Sequence, residues 1–211
     1  MIFAFNKRII ILNPHKTATR NRMFHFHDIN FVPPIWKNEI NYRYLFEKSG
    51  IDISRLSLKD IIRFFGPHAT TRTVNHVFKN TNLNFSEFTK YCFIRNPWDR
   101  AISIFFMQYK NMDFKLHRKD FKNYILGCTL PPMHEFYLLD NEIYVDHIFQ
   151  FERLGESINF IQSKHNLDLP PFKQTQSTWI HLPYKDWFDQ EMIDHVANKE
   201  SKTIELFGYQ F

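Results

Sequence analysis

The sequence predicts an α/β domain with a central, mainly parallel sheet flanked by helices. Three observations lead there. "RIIILN" at Arg8–Asn13 and "KYCFI" at Lys90–Ile94 are short, continuous apolar runs, the length and composition of strands buried on both faces. Amphipathic stretches with apolar residues at i, i+3, i+4 and i+7 separate and follow them. The 211 residues contain no internal repeat, low-complexity block or Gly/Ser linker, which suits one domain, residues 1–211, with a core of its own.

The elements follow in order. "MIFAFNKRIIILN" reads as a strand that begins almost at once. It lacks the charged start, apolar region and cleavage site of a signal peptide, and no stretch approaches the roughly 18 apolar residues of a membrane span, so a cytoplasmic protein is expected. "PHKTATRN" is a loop, and a helix starts near Asn21. Ile29–Gly50, with Pro33-Pro34, is irregular apart from a helical piece near Tyr42–Lys48. "LKDIIRFF" is an apolar segment, Gly66-Pro67 breaks the chain, and a helix capped by Thr70 or Thr71 follows. After the Lys90–Ile94 strand, Pro97 to about Asn111 is a helix with Trp98, Ala101, Ile102, Phe105 and Phe106 on its apolar stripe. "KDFKNYIL" is a short helix, "YVDHIFQFE" a strand, "RLGESINFIQSKHN" a helix, and "DQEMIDHVANKESKTIELF" one or two helices closing the fold.

Apolar residues make up 44% and charged residues 23%, as in ordinary globular domains. The net charge of +5 suits an anionic ligand or simply a basic surface, and no dense Lys/Arg run marks a nucleic-acid arm. Cys92 and Cys128 do not make a disulfide framework, and Cys92 reads as core. "HFH" at His25–His27 lacks partners for a metal, and no metal is expected. There are 24 phenylalanines and only 5 glycines, few for a chain that is to cradle phosphate.

In parallel sheets ligands bind at the carboxyl ends of the strands, which selects two loops. The first, "NPHKTATRN", offers Lys16, the Thr17 and Thr19 hydroxyls and the unpaired N–H groups of a helix start. It is either an anion site or a polar turn capped by threonine, and it is not a Walker A loop. The second is "FIRNPWDR". Asn96 is a good N-cap, Pro97 suits the first helical position, and Asp99 completes a capping arrangement. Arg95 is unexplained by helix initiation. It grips a phosphate together with Ser103 or pairs with Asp99. Both loops together suit a ligand with two separated anionic groups, such as a nucleotide phosphorylated at both ends.

The chain resembles the sulfotransferases that use 3′-phosphoadenosine 5′-phosphosulfate (PAPS), in particular their carbohydrate branch of heparan and chondroitin type. "FIRNPWDRAISIFF" is similar to the family's 3′-phosphate element, R-x-P-[YFW]-x-R-x-x-S after a strand. "KTATRN" resembles the 5′-phosphosulfate loop, "FFGPHATTRTV" the Gly-His segment, "YLLDNEIYVDHIFQFERLGESINFI" the middle block, "LPPFKQTQST" the loop after it, and "IELFGYQF" the C-terminal ending. The resemblance implies a three-layer, P-loop-like fold and in-line transfer of a sulfuryl group to an acceptor hydroxyl, that of a carbohydrate, with PAP as product and no metal. A catalytically silent module that binds PAP or another nucleotide is the alternative.

By position, the resemblance gives Lys16 the contact to the transferred group. It gives the backbone amides from Thr17 through Ala18, Thr19 and Arg20 to Asn21 the 5′-phosphate. Arg95 and Ser103 take the 3′-phosphate, His68 is the base, and Lys173 closes over the nucleotide. Read locally, a histidine beside a Gly-Pro turn is more often a turn residue than a base, and only the resemblance reverses that for His68; His134, His147 and His181 are weaker rivals for its role. The chain departs from the family's P-K-T-[AG]-[GSC]-T-[SN] loop: His15 precedes Lys16, Thr19 and Arg20 replace smaller residues, and glycine is missing.

Overall fold

A computed structural model of the chain describes residues 1–26, 44, 46, 48–109, 118–127, 131–173 and 184–211. A four-stranded sheet lies at its centre. It comprises β1 (Ile2–Ala4), β2 (Ile9–Leu12), β3 (Thr89–Ile94) and, after a small hairpin of β4 (Leu138–Leu139) and β5 (Glu142–Ile143), β6 (His147–Gln150). The order is β1-β2-β3-β6. β2, β3 and β6 are parallel, with Ile9 opposite Thr89 and Tyr91 opposite His147, and β1 runs antiparallel at the edge.

The N-terminal run is therefore two strands, not one. The polar triplet Asn6-Lys7-Arg8 turns the chain through a 3-10 turn, with Arg8 at φ 54° and its N–H donating to Phe5 O at 3.1 Å. The turn has none of the usual Gly or Pro punctuation, which hid it in the sequence. The "YVDHIFQFE" strand shortens to four residues because the chain enters a second 3-10 turn at Phe151–Arg153. The β4–β5 hairpin, unread in the sequence, turns on Asp140 and Asn141 at φ 51° and 69°, where Asp and Asn tolerate left-handed backbone.

Alternation along the strands sends side chains to both faces. Ile10, Leu12, Cys92 and Ile94 face one helical layer, α2 (Leu58–Phe65) and α3 (Thr71–Lys79), through Ile61, Phe64, Val74 and Val77. Here Phe3 packs against Phe64 and Phe88 at centroid distances of 5.2 and 5.5 Å, so the abundance of phenylalanine is largely a matter of core packing. Ile9, Ile11, Tyr91 and Phe93 face α1 (Thr19–His25) and α6 (Leu154–Lys164). A third apolar cluster joins α4 (Pro97–Tyr109), α5 (Arg118–Gly127) and α7 (Gln190–Lys199) around Trp98, Phe105, Phe121 and Met192. α8 (Ser201–Phe207) follows and stops at Gly208, φ 65°.

Local signals account for several boundaries. Ser57 and Asp60 cap α2 reciprocally, fixing as a helix what read only as an apolar segment. Asn96 Oδ1 accepts from Trp98 N and Asp99 N at 3.1 and 3.2 Å, starting α4 as expected. Thr70 stands at the N-cap of α3 without a capping bond. The Thr71 hydroxyl instead lies 2.5 Å from Leu138 O, fastening α3 to the β4 strand. α1 begins at Thr19, two residues before the expected start. Tyr44, Phe46 and Lys48 are helical, while most of Ile29–Gly50 and the end of the Pro97–Asn111 helix lie outside the described residues. Among those residues no helix is long and apolar enough to cross a membrane.

Candidate functional site

β2 and β3 are parallel neighbours, so the loops that leave their carboxyl ends lie side by side. In the first loop Lys16 and Ala18 hold φ values of 65° and 58°. Left-handed backbone costs a non-glycine residue roughly 1–2 kcal/mol, so the loop is strained twice within three residues. Such alternation lets successive N–H groups converge as an anion-binding nest. The N–H groups of Thr17, Ala18 and Thr19 have no partner among the described residues. Both threonine hydroxyls donate to Pro14 O, at 2.8 and 3.4 Å. The loop thus offers its backbone amides, and the hydroxyl donors expected from the sequence are turned inward.

Two arginines brace this loop. Arg22, on α1, is wholly buried. Its Nε and Nη2 donate to Asn13 Oδ1 at 3.2 and 2.6 Å, Nη2 also to Thr17 Oγ1 at 3.0 Å, and Nη1 to Thr17 O. The guanidinium lies over the Phe93 ring, 3.9 Å from its centroid. Burial lowers its pKa to about 9, so it stays charged at neutral pH. Arg100, on α4, donates from Nε to His15 O at 3.1 Å, from Nη1 to Glu200 Oε1 at 2.6 Å and from Nη2 to Pro131 O at 3.1 Å. Glu200, buried at the α7–α8 junction, also accepts from Met133 N and the Thr203 hydroxyl. Burial pushes its carboxyl pKa up although Arg100 pulls it down.

Arg95 ties the second loop to the first. Its Nε donates to Asp99 Oδ2 at 2.7 Å, and its Nη1 to Lys16 O at 2.9 Å and Ser103 Oγ at 3.3 Å. The guanidinium stacks over Phe151 at 4.4 Å. Both roles weighed for Arg95 therefore meet here, since it is paired with Asp99 and also shares Ser103.

His68 follows the Gly66 break, and its Nδ1 lies 2.7 Å from Asn13 O. A carbonyl only accepts, so Nδ1 carries the hydrogen and Nε2 keeps its lone pair. The His15 ring stacks on it, with centroids 3.5 Å apart and planes within 20°. Burial first, then the positive N-terminus and arginines, lower the His68 pKa to about 4 against the opposing Asn13 hydrogen bond. Burial, His68 and Arg100 take His15 to about 3. Both imidazoles are neutral at pH 7.

The structure thus gathers Lys16, Thr17, Ala18, Thr19, Arg95, Ser103 and His68 around one pair of strand ends. Asn21 is half-buried on α1. Lys173 is exposed. Its neighbour Phe172 meets His25, centroids 5.2 Å apart, at the far end of α1. Among the rival histidines, His147 lies at the opposite end of the strands beside Lys164, whose Nζ is 3.0 Å from its Nε2. His134 lies in the 3-10 turn Met133–Phe136, and His181 is outside the described residues. No three His, Cys, Asp or Glu side chains converge on a metal position among the described residues.

Sequence reasoning missed Arg22, Arg100 and Glu200 as parts of the site. Only Arg100 carried a signal, as the second arginine of the R-x-P-[YFW]-x-R-x-x-S element. A groove of about 620 Å³ opens along the outer edge of β6 between Phe160 and Phe207, and a cavity of about 40 Å³ adjoins Arg100 and Glu200. Neither is lined by Lys16, His68 or Arg95. Comparison of the chain with known families, characterised proteins and solved structures finds no match.

Proposed function

We propose that the chain is a PAPS-dependent sulfotransferase of P-loop-like fold, acting on a hydroxyl of a carbohydrate or a similar acceptor. The observation that carries this reading is the 2.9 Å contact from Arg95 to Lys16 O, which sets a loop of open amides against an arginine–serine pair. Two anion-binding elements side by side suit a nucleotide phosphorylated at two positions. The amides of Thr17 to Thr19 and Lys16 take the 5′ side, and Arg95 with Ser103 the 3′ side.

In this reading the acceptor oxygen attacks sulfur in line. The new O–S bond forms as the bond from sulfur to the bridging oxygen breaks, and PAP leaves. His68 Nε2 takes the hydroxyl proton, a contribution of about 10²–10⁴ in rate. Lys16 stabilises charge on the departing phosphate. At a pKa of about 4 His68 is a weak base. The negative charges of a donor beside it raise that value toward neutrality, because an anion favours the imidazolium.

One observation favours a second reading, a silent module that binds PAP or another nucleotide: Asp99 already neutralises Arg95. A transfer assay with radiolabelled sulfuryl donor, alongside PAP calorimetry, separates the two. The enzyme reading expects donor-dependent labelling of a carbohydrate, lost by at least 100-fold in His68→Ala while PAP affinity stays within about threefold. PAP binding without labelling of any acceptor establishes the silent module. Transfer undiminished in His68→Ala removes the base assignment.

A further inference from the structure

Arg22 is hard to explain as a folding device. A guanidinium in the interior is costly unless a carboxylate pairs with it, and no described Asp or Glu forms an ion pair with this one. Its hydrogen bonds go to neutral oxygens of Asn13 and Thr17, and its face to Phe93. The interior under the loop thus carries a full positive charge with no carboxylate paired to it among the described residues.

Two further observations lie at the same place. Asn13 is wholly buried, yet its Nδ2 donor has no partner among the described residues. Arg22 also holds both the carbonyl and the hydroxyl of Thr17, the residue between the two left-handed positions. The side chain that carries the unbalanced charge therefore also fixes the curl of the nest.

We propose that Arg22 is the internal cation of the Asn13–Thr19 loop, the residue that sets the curl of its amides and answers from below the near-double negative charge of a terminal phosphate monoester. This rests on the same loop as the proposed function, though not on sulfuryl transfer. Arg22 is a positioning residue here. It shapes the loop and supplies the field, while the amides touch the anion. A phosphate needs no threonine hydroxyl to bind, which agrees with both hydroxyls being committed to Pro14 O.

The test uses adenosine 5′-monophosphate, which lacks both a sulfuryl group and a 3′-phosphate, with adenosine as the uncharged control. Arg22→Met, checked for folding by circular dichroism, is expected to weaken monophosphate binding at least tenfold in calorimetry and to leave any adenosine binding unchanged. Arg22→Lys, which keeps the charge, recovers part of the loss. The wild-type protein supplies a second readout that does not depend on a variant folding. The Arg22 Nε–H resonance shifts on saturation with the monophosphate and not with adenosine. An unmoved resonance, binding within twofold in folded Arg22→Met, or no monophosphate binding by the wild type overturns the inference. Arg22-dependent binding in a protein that transfers no sulfuryl group leaves it standing and defeats the enzyme reading alone.

Discussion

The two strand-end loops occupy equivalent positions on neighbouring parallel strands, yet they are finished in opposite ways. After β3, every polar group named is satisfied: Arg95 has Asp99, Ser103 and Lys16 O, and the Asn96 side chain caps α4. After β2, among the described residues, amides stand open, two residues are strained, and a buried cation has no acid paired to it. The closed loop explains itself by folding. The open one is the kind of place where strain is tolerated because something else is gained. The difference locates the more informative half of the site at Lys16 and Arg22, although the sequence drew attention first to Arg95.

The contrast is tested hardest at the clamp that joins the loops. Glu200→Ala strands Arg100 in the interior and is expected to cost about 3–5 kcal/mol in urea unfolding. Replacing both partners, Arg100→Met with Glu200→Leu, should restore most of that, because the raised Glu200 pKa marks a pair whose desolvation outweighs its attraction. A Glu200→Ala variant as stable as wild type breaks the picture of a clamped loop.

A smaller effect reads the closure of Arg95. Asp99→Asn removes the competing carboxylate, whose side chain is 26% exposed. It should tighten PAP binding about fivefold, corresponding to roughly 1 kcal/mol for a partly exposed pair. Unchanged affinity in calorimetry means that Asp99 does not hold Arg95 back from a ligand. The smallest effect sharpens the view of the open loop. Ala18→Gly relieves a left-handed alanine and should stabilise the fold by about 0.5–1 kcal/mol. Destabilisation would show that the φ of 58° is not a source of strain.

The sequence disclosed the parallel strands because β-branched and aromatic runs need both faces covered, and it disclosed the start of α4 because Asn-Pro is local chemistry. It did not disclose the β1–β2 turn, since Asn6-Lys7-Arg8 carries no turn signal beyond polarity. Nor did it disclose Arg22. A cation on a short helix reads as solvent-facing, and only tertiary packing places it over Phe93. The missing glycine was legible, but its consequence was not: Lys16 and Ala18 adopt the left-handed backbone themselves.

The register of the sheet bears on how this protein comes to fold. β1 meets β2 across a short turn, with Ile2 opposite Ile11, whereas Ile9 finds Thr89 far along the chain and Arg100 finds Glu200, 100 positions away. Long loops must close before such contacts give anything back, so they form slowly. The N-terminal hairpin can assemble early, but the Asn13–Thr19 loop acquires its shape only when β3, α4 and the α7–α8 junction have all arrived. A nascent or partly folded chain therefore carries the Lys16 sequence without the anion site, and recovery of ligand binding during refolding should lag behind recovery of helical signal.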